Sequence, residues 1–304
     1  MGTRQAEILL FAAIAARSAS YLFSKISMDA MPPMELLGIR FLLAALVLGI
    51  LFYRRILRTA KEALKPGILA GIVMVLGVAC ELAGLSLIDS STVAFLENTA
   101  VLWVLLISSL CRWKLPGMKA ISAMILVLAG ISFLTMKGSG LSFSAGEIIS
   151  LGSSLFYALW ILLLGKYADK TDPVSLGFLQ MLTMGILGLG ASLFLEKQAL
   201  PEEPSVWAAI LGLALLCSVF SVTAQSEAQK WVSSEKAGFF SAASPMLASL
   251  LGWIFLGESM TSLQILGAGF ITASLLLLQL KGFGNMKFLL PYFRTHGKYR
   301  LSAE

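Results

Sequence analysis

Histidine, cysteine and charge are all scarce in this 304-residue chain, and each scarcity removes a class of function. The one histidine, His296, lies among basic residues near the C-terminus, which leaves no histidine-based triad and no helix-borne zinc motif. The three cysteines, Cys80, Cys111 and Cys217, sit in or beside apolar runs without C-x-x-C spacing, so neither a disulfide framework nor a thiolate metal site is expected. Nor is there a glycine-rich phosphate loop or a nucleophile paired with an acid and a base. The expectation is therefore a protein that is not an enzyme and holds no metal or cofactor. Charged residues make up 13% of the chain, where a soluble domain has about 25%.

Apolar residues fill the gap. They reach 58%, with a mean hydropathy of +0.85, more than one water-facing globule of this size can hide. The bilayer is the expected solvent. A spanning helix needs about 20 apolar residues, since the hydrocarbon layer is about 30 Å thick and each residue rises about 1.5 Å. Charge-free stretches at 148–165, 173–195, 204–226, 237–257 and 259–280 meet this directly. Segments 6–28, 34–53, 66–87, 91–111 and 117–136 meet it only if internal charges are tolerated. The fold expected is all-α and integral to the membrane, with ten spans, short loops and the basic stretch 54–65 as one of those loops. Ala13-Ile14-Ala15 imitates a signal-peptide cleavage site, but the positive flank is only Arg4 and the helical pattern continues through Tyr21-Leu22-Phe23.

Loops taken alternately place 18 of the 23 basic residues on one side, so both termini are expected in the cytoplasm of a multi-pass protein of the cell membrane. This also accounts for the pI of 9.3 without nucleic acid, because the basic residues are scattered along one membrane face.

The two halves repeat one another. Pro33 and Pro173 differ by 140 positions, as do Arg40 and Gln180, and Ser90-Ser91-x-x-Ala94 recurs as Ser233-Ser234-x-x-Ala237. The expected division is a first five-helix repeat over 1–140, a second over 141–282 and a basic cytoplasmic tail over 283–304. Five spans is an odd number, so the second repeat enters the membrane from the opposite side and the two are inverted. That symmetry is what alternating access around a midplane site requires.

Several segments carry a resemblance. Ser20-Tyr21-Leu22-Phe23-Ser24-Lys25, Pro32-Pro33, Leu37-Gly38-Ile39-Arg40-Phe41, Ser244-Pro245 and Gly252-Trp253-Ile254-Phe255-Leu256-Gly257-Glu258 resemble EamA-type members of the drug/metabolite transporter superfamily. The resemblance implies a ten-helix, inverted-repeat carrier for small metabolites, often an exporter, with a central cavity lined by both halves. Similar members include exporters of amino acids. The chain departs from the family pattern in three places. Arg17-Ser18 stands where a Trp-Gly pair is usual, no proline occurs near positions 100–102, and Trp113-Lys114-Leu115 replaces the Leu-Gly-Glu exit motif in the first half.

A charge at bilayer depth costs about 2.5–3.5 kcal/mol on insertion scales, so those in the first half need a reason. Arg17, Tyr21, Ser24 and Lys25 recur on one face of the first span. Arg40, Glu81 and Glu97 each lie six residues from an outer helix end, about 9 Å deep. They are expected to form a charge network beneath the outer mouth, or, on the competing reading, a structural ion pair between Arg40 and one carboxylate. Arg17, near the midplane, is assigned to substrate together with Tyr21 and Ser24, while Lys25 is near enough to the surface to snorkel. Tyr157, Trp160 and Ser244 are assigned to the opposite wall, where the aromatics offer a stacking surface or serve as core, and Pro245 to a hinge. Lys25, Arg17 and Arg40 against Glu81 and Glu97 leave one positive charge, which fits a carboxylate-bearing substrate. Glu81 and Glu97 are the candidates for proton coupling.

The function expected is a secondary transporter, an exporter of small polar or amphipathic metabolites such as amino acids, with lipid and small-molecule substrate as its partners. A monomer with both repeats fused suffices. The alternative is an uncoupled facilitator or channel, or a sensory membrane scaffold.

Overall fold

The computed structural model describes residues 2–112, 117–137, 140–141, 143–167, 170–228, 231–232 and 240–279. The basic tail, Trp113-Lys114-Leu115 and the repeated Ser233-Ser234 pair lie outside them. The architecture is helical throughout, apart from a two-residue antiparallel pairing of β1 (Met136–Lys137) with β2 (Gly140–Leu141).

The helices are α1 (Thr3–Ser18), α2 (Ser20–Met28), α3 (Pro33–Leu85), α4 (Ser90–Asn98), α5 (Ala100–Arg112), α6 (Met118–Leu134), α7 (Ala145–Tyr167) and α8 (Pro173–Leu195). They continue with α9 (Pro204–Leu211), a π-helical segment (Gly212–Phe220), α10 (Ser221–Ala228), α11 (Ser244–Leu256) and α12 (Ser262–Gln279). Proline begins α3, α8 and α9, where its missing N–H costs nothing because the first turn has no intrahelical acceptor for it. Among the described residues, six helical stretches are long and apolar enough to cross a bilayer, and three shorter ones are apolar. Large side chains such as Leu57, Phe194 and Trp253 stand exposed on the outside, as lipid-facing positions must.

The basic stretch 54–65 is helical, not the loop expected from its charge. Even so, α3 reverses direction. Helical geometry lapses at Phe52, where φ is −121° and ψ is 21°, and Pro66 lies inside the helix. The contacts with α8 establish the reversal. Gly38 meets Leu189 and Gly49 meets Phe178, so the first arm runs antiparallel to α8; Gly67 meets Leu179 and Gly71 meets Thr183, so the second runs parallel to it. Arg55 and Thr59, at the bend, bond Asp172 and Ser175 at the start of α8. Asp172 also caps α8 by accepting the Ser175 N–H at 3.0 Å. Burial pushes the Asp172 carboxyl up, but the bonds from Arg55 and Ser175 outweigh it and hold the group below the usual carboxylate range.

Two seams bring backbones unusually close. A Cβ on Gly188 would lie 2.8 Å from the Gly38 nitrogen, and one on Gly267 would lie 2.6 Å from the Gly130 carbonyl oxygen. With hydrocarbon outside as well as inside, such close packing is what drives helices together in a bilayer. Gly188→Ala is accordingly expected to destabilise the protein by ~1–3 kcal/mol, read as a lower thermal midpoint in detergent. Gly190→Ala, which would meet nothing within 4 Å, serves as the control and should leave the midpoint unchanged.

Candidate functional site

The helices lose regularity at four places. The chain turns at Ala19 between α1 and α2, and at Thr99 between α4 and α5, where the Thr99 hydroxyl bonds the Leu96 carbonyl. Residues 242–243 form a turn before α11, and the π-helical segment occupies 212–220. Pro245 sits in the first turn of α11 directly after the turn at 242–243 and, lacking an N–H, cannot supply the helical bond across it. The break at Thr99 forms without a proline. At membrane depth, irregular backbone survives only where protein buries it or a cavity solvates it.

The candidate charges lie close enough to influence one another. Glu81 is buried and accepts the Tyr157 hydroxyl at 2.6 Å. One Glu97 oxygen, Oε2, is buried without a hydrogen-bond partner among the described residues, and the Tyr21 hydroxyl stands beside that carboxyl. Arg40 donates to Ser218 at 3.3 Å and lies 4.8 Å from the Phe41 ring centroid. Ser218 is available because the π-helical geometry directs its hydroxyl to the Leu213 carbonyl, five residues back. Arg17 and Arg40 both act electrostatically on Glu81 and Glu97. Yet among the described residues the ion pairs are Lys25–Glu258 and Arg55–Asp172, and neither arginine lies within 4.0 Å of Glu81 or Glu97. Two cations and two carboxylates thus lie near enough to act on one another without pairing directly. Ser24 adds a buried hydroxyl with no partner among the described residues.

Other candidates are spent on contacts between helices. Ser244 shares a 2.9 Å hydrogen bond with Ser18, joining α11 to α1. The Trp160 indole donates to Gln180 at 3.0 Å, joining α7 to α8, and its ring meets Tyr157 edge-on at 6.5 Å. Ser18, Gln180 and Ser218 are absent from the residues assigned by sequence. Gln180 was within reach, because the 140-residue offset pairs it with Arg40; Ser218 had no local signal, since its role depends on the helix being π-wound.

Lys25 belongs to a second cluster at the end of the bundle where α2 finishes and α4 begins. Its ammonium bonds Glu258 at 3.1 Å and the Ile88 carbonyl at 3.2 Å. Glu258 also accepts the Ser90 N–H and hydroxyl, each at 2.8 Å, and the Ser91 N–H and hydroxyl at 3.1 and 3.2 Å. The sequence before Glu258 builds this geometry. Gly257 takes φ +66°, ending α11 with a left-handed turn that sends Glu258 back toward α4, and a Cβ on Gly252 would come within 2.6 Å of the Glu258 carboxylate. At the same end, Glu196 accepts the Met34 and Glu35 N–H groups at the start of α3, and Glu35 in return accepts the Ala199 N–H.

Burial pushes Glu258 up, but the bonds from Ser90, Ser91 and Lys25 outweigh it and hold the carboxyl below the usual range. A depressed pKa contributes stability above the ordinary glutamate value, about 4.3, and loses it as pH falls through the folded value. Glu258→Gln should therefore lower the thermal midpoint near neutral pH, by an amount equivalent to ~2 kcal/mol. The gap between variant and wild type should close on acidification below pH ~4.

The profile of the EamA-like transporter family matches residues 4–136 and 144–280. An uncharacterized transporter of Archaeoglobus fulgidus is 25% identical over 258 residues, 84% of this chain and 80% of that one. The S-adenosylmethionine/S-adenosylhomocysteine transporter of Chlamydia trachomatis is 25% identical over 270 residues, covering 84% and 83%. The uncharacterized inner membrane transporter YedA of Escherichia coli is 26% identical over 280 residues, covering 89% of each. A crystal structure at 18% identity shares the fold, with a TM-score of 0.65 over 91% of this chain and 97% of the other. These relatives are named for transport, not catalysis, and all of them run nearly the full length of this helical, lipid-facing chain. It is a multi-pass membrane protein and belongs to the EamA-like transporter family.

Proposed function

We propose that this chain is a secondary transporter that exports small zwitterionic metabolites, of the amino-acid type, by alternating access. The carrying observation is the balance of charge at the site. With Lys25 committed to Glu258, the excess positive charge counted from sequence disappears and two arginines face two carboxylates. An α-amino acid headgroup brings one carboxylate and one ammonium, and can engage both signs without adding net charge to a low-dielectric space. S-Adenosylmethionine and S-adenosylhomocysteine, for which one relative is named, both carry that headgroup. In this reading Arg17 receives the substrate carboxylate, Glu81 and Glu97 the ammonium, and Tyr21, Ser24 and the Tyr157–Trp160 pair line the walls.

Ten spans in two inverted repeats are supported by the packing. The six long apolar stretches become seven when α3 is divided at its reversal, and the three shorter helices make ten. Contacts recur in mates five spans apart: α1 on α10 matches the second arm of α3 on α7, and α11 on α1 matches α4 on α7. The first arm of α3 pairs with α8, α4 with α11 and α6 with α12, each span with its own repeat partner. The two stretches matched by the family profile nearly coincide with the halves at 1–140 and 141–282. With both termini cytoplasmic, the Lys25–Glu258 cluster closes the external end and the charged space opens alternately inward. A single chain contains both halves, so a monomer is sufficient. Glu97, with its unpartnered oxygen, is the carboxylate best placed to exchange a proton for substrate.

Proteoliposome flux tests this. Arg17→Ala should raise KM for an amino-acid substrate by about 10–100-fold, the cost of a lost hydrogen bond to a charge. Glu97→Gln should abolish acceleration by an imposed pH gradient, while exchange at saturating substrate persists with a raised KM. Unchanged KM in a folded Arg17→Ala protein would refute the assignment of Arg17, and a Glu97→Gln variant still driven by the gradient would refute the coupling.

A further inference from the structure

The first arm of α3 and α8 leave an apolar groove of about 820 Å³ on the lipid-facing surface. Its walls include Leu42, Leu46, Gly49, Ile50 and Tyr53 from α3 and Phe178 from α8. Leu46, Ile50 and Tyr53 are more than half exposed. Gly49 forms part of the floor: a Cβ there would press on the Phe178 ring at 3.1 Å. From Leu42 to Tyr53 is eleven residue steps, about 16 Å at 1.5 Å each, which is close to half the ~30 Å hydrocarbon core. The groove therefore has the length of one leaflet.

It ends in positive charge. Arg54 bonds the Tyr53 hydroxyl at 2.8 Å, with its guanidinium carbon 5.5 Å from the centroid of that ring, so the cation is fixed beside the mouth of the groove. Arg54, Arg58, Lys61 and Lys65 follow at i, i+4, i+7 and i+11 along one face of the helix, all exposed. Arg55 is paired with Asp172, and Glu62 is the single acidic residue of the segment. An apolar channel one leaflet long, with uncommitted cations at its polar end, is complementary to an amphiphile with an anionic head.

We propose that this groove binds an anionic phospholipid of the cytoplasmic leaflet, one acyl chain lying between α3 and α8 and the phosphate held by Arg54 and Arg58. Basic sites beside membrane helices on the cytoplasmic side recognise such headgroups in this way. The leaflet assignment rests on the orientation proposed above; the lipid chemistry does not. Because the walls belong to different halves of the chain, the bound lipid bridges them along the seam that Gly38 and Gly188 keep packed.

The test is thermal unfolding of the full-length protein in detergent with added dioleoyl phosphatidylglycerol or dioleoyl phosphatidylcholine. Phosphatidylglycerol should raise the midpoint by ~5 °C more than phosphatidylcholine at low salt, as expected for a ligand well above its Kd, and the difference should shrink as salt screens the headgroup. Arg54→Ala/Arg58→Ala should remove the preference, Arg54→Lys/Arg58→Lys should retain most of it, and Gly49→Leu, which fills the groove, should abolish it with the arginines intact. Equal shifts from the two lipids in the wild type overturn the proposal without reference to any variant. A full shift from glycerol 3-phosphate alone also overturns it, because the acyl chain would then be irrelevant. In intact cells, protection of Arg58→Cys from an impermeant maleimide supports the cytoplasmic leaflet, whereas labelling from outside overturns that assignment and the orientation together.

Discussion

Holding Arg17, Arg40, Glu81 and Glu97 within a helical bundle costs several kcal/mol per ion before any partner is supplied, and the surrounding structure is arranged around that cost. Direct pairing would offset it, but here the opposite charges stay beyond 4.0 Å and are held by neutral groups: Tyr157 for Glu81, Ser218 for Arg40 and the neighbouring Tyr21 for Glu97. Such an arrangement leaves electrostatic capacity for something else to use. It also explains the backbone. Irregular backbone at Ala19, Thr99, 242–243 and the π-helical segment requires local solvation that lipid cannot provide.

Rigid seams and polar ties divide the remaining work. The glycine contacts of Gly38 with Gly188 and Gly130 with Gly267 are made by backbone and have no alternative partner, so they suit surfaces that stay packed. Glu258 gathers Lys25, Ser90 and Ser91 by hydrogen bonds that can be exchanged for water, as can the Glu35–Glu196 tie nearby. Contacts of that kind can open and close at one end of a bundle whose glycine seams remain intact. Arg55 and Asp172 occupy the opposite end, where the helix of Arg54 and Arg58 carries exposed positive charge.

The membrane class, the helix positions and the candidate charges were legible in the sequence because each is a local property. Twenty apolar residues specify a span wherever they fold, and a charge inside such a run is conspicuous whatever surrounds it. Proline stands at the start of the helices beginning at 33, 173 and 204 for an equally local reason, the absent N–H. The stretch 54–65 misled because charge was taken for loop, although Arg, Lys, Leu, Ala and Glu are good helix formers and its apolar face packs.

Partnership was not local, and only the tertiary structure decided it. Lys25 and Glu258 are separated by 233 positions, Arg40 and Ser218 by 178, and Ser18 and Ser244 by 226. No periodicity reports such pairs. By taking Lys25 out of the central count, the fold changed a site with surplus positive charge into a balanced one. The sequence alone determined that charges would be buried in this membrane protein, since hydropathy is additive along a chain; which charges meet was settled by helix packing, since electrostatics depends on distance through space.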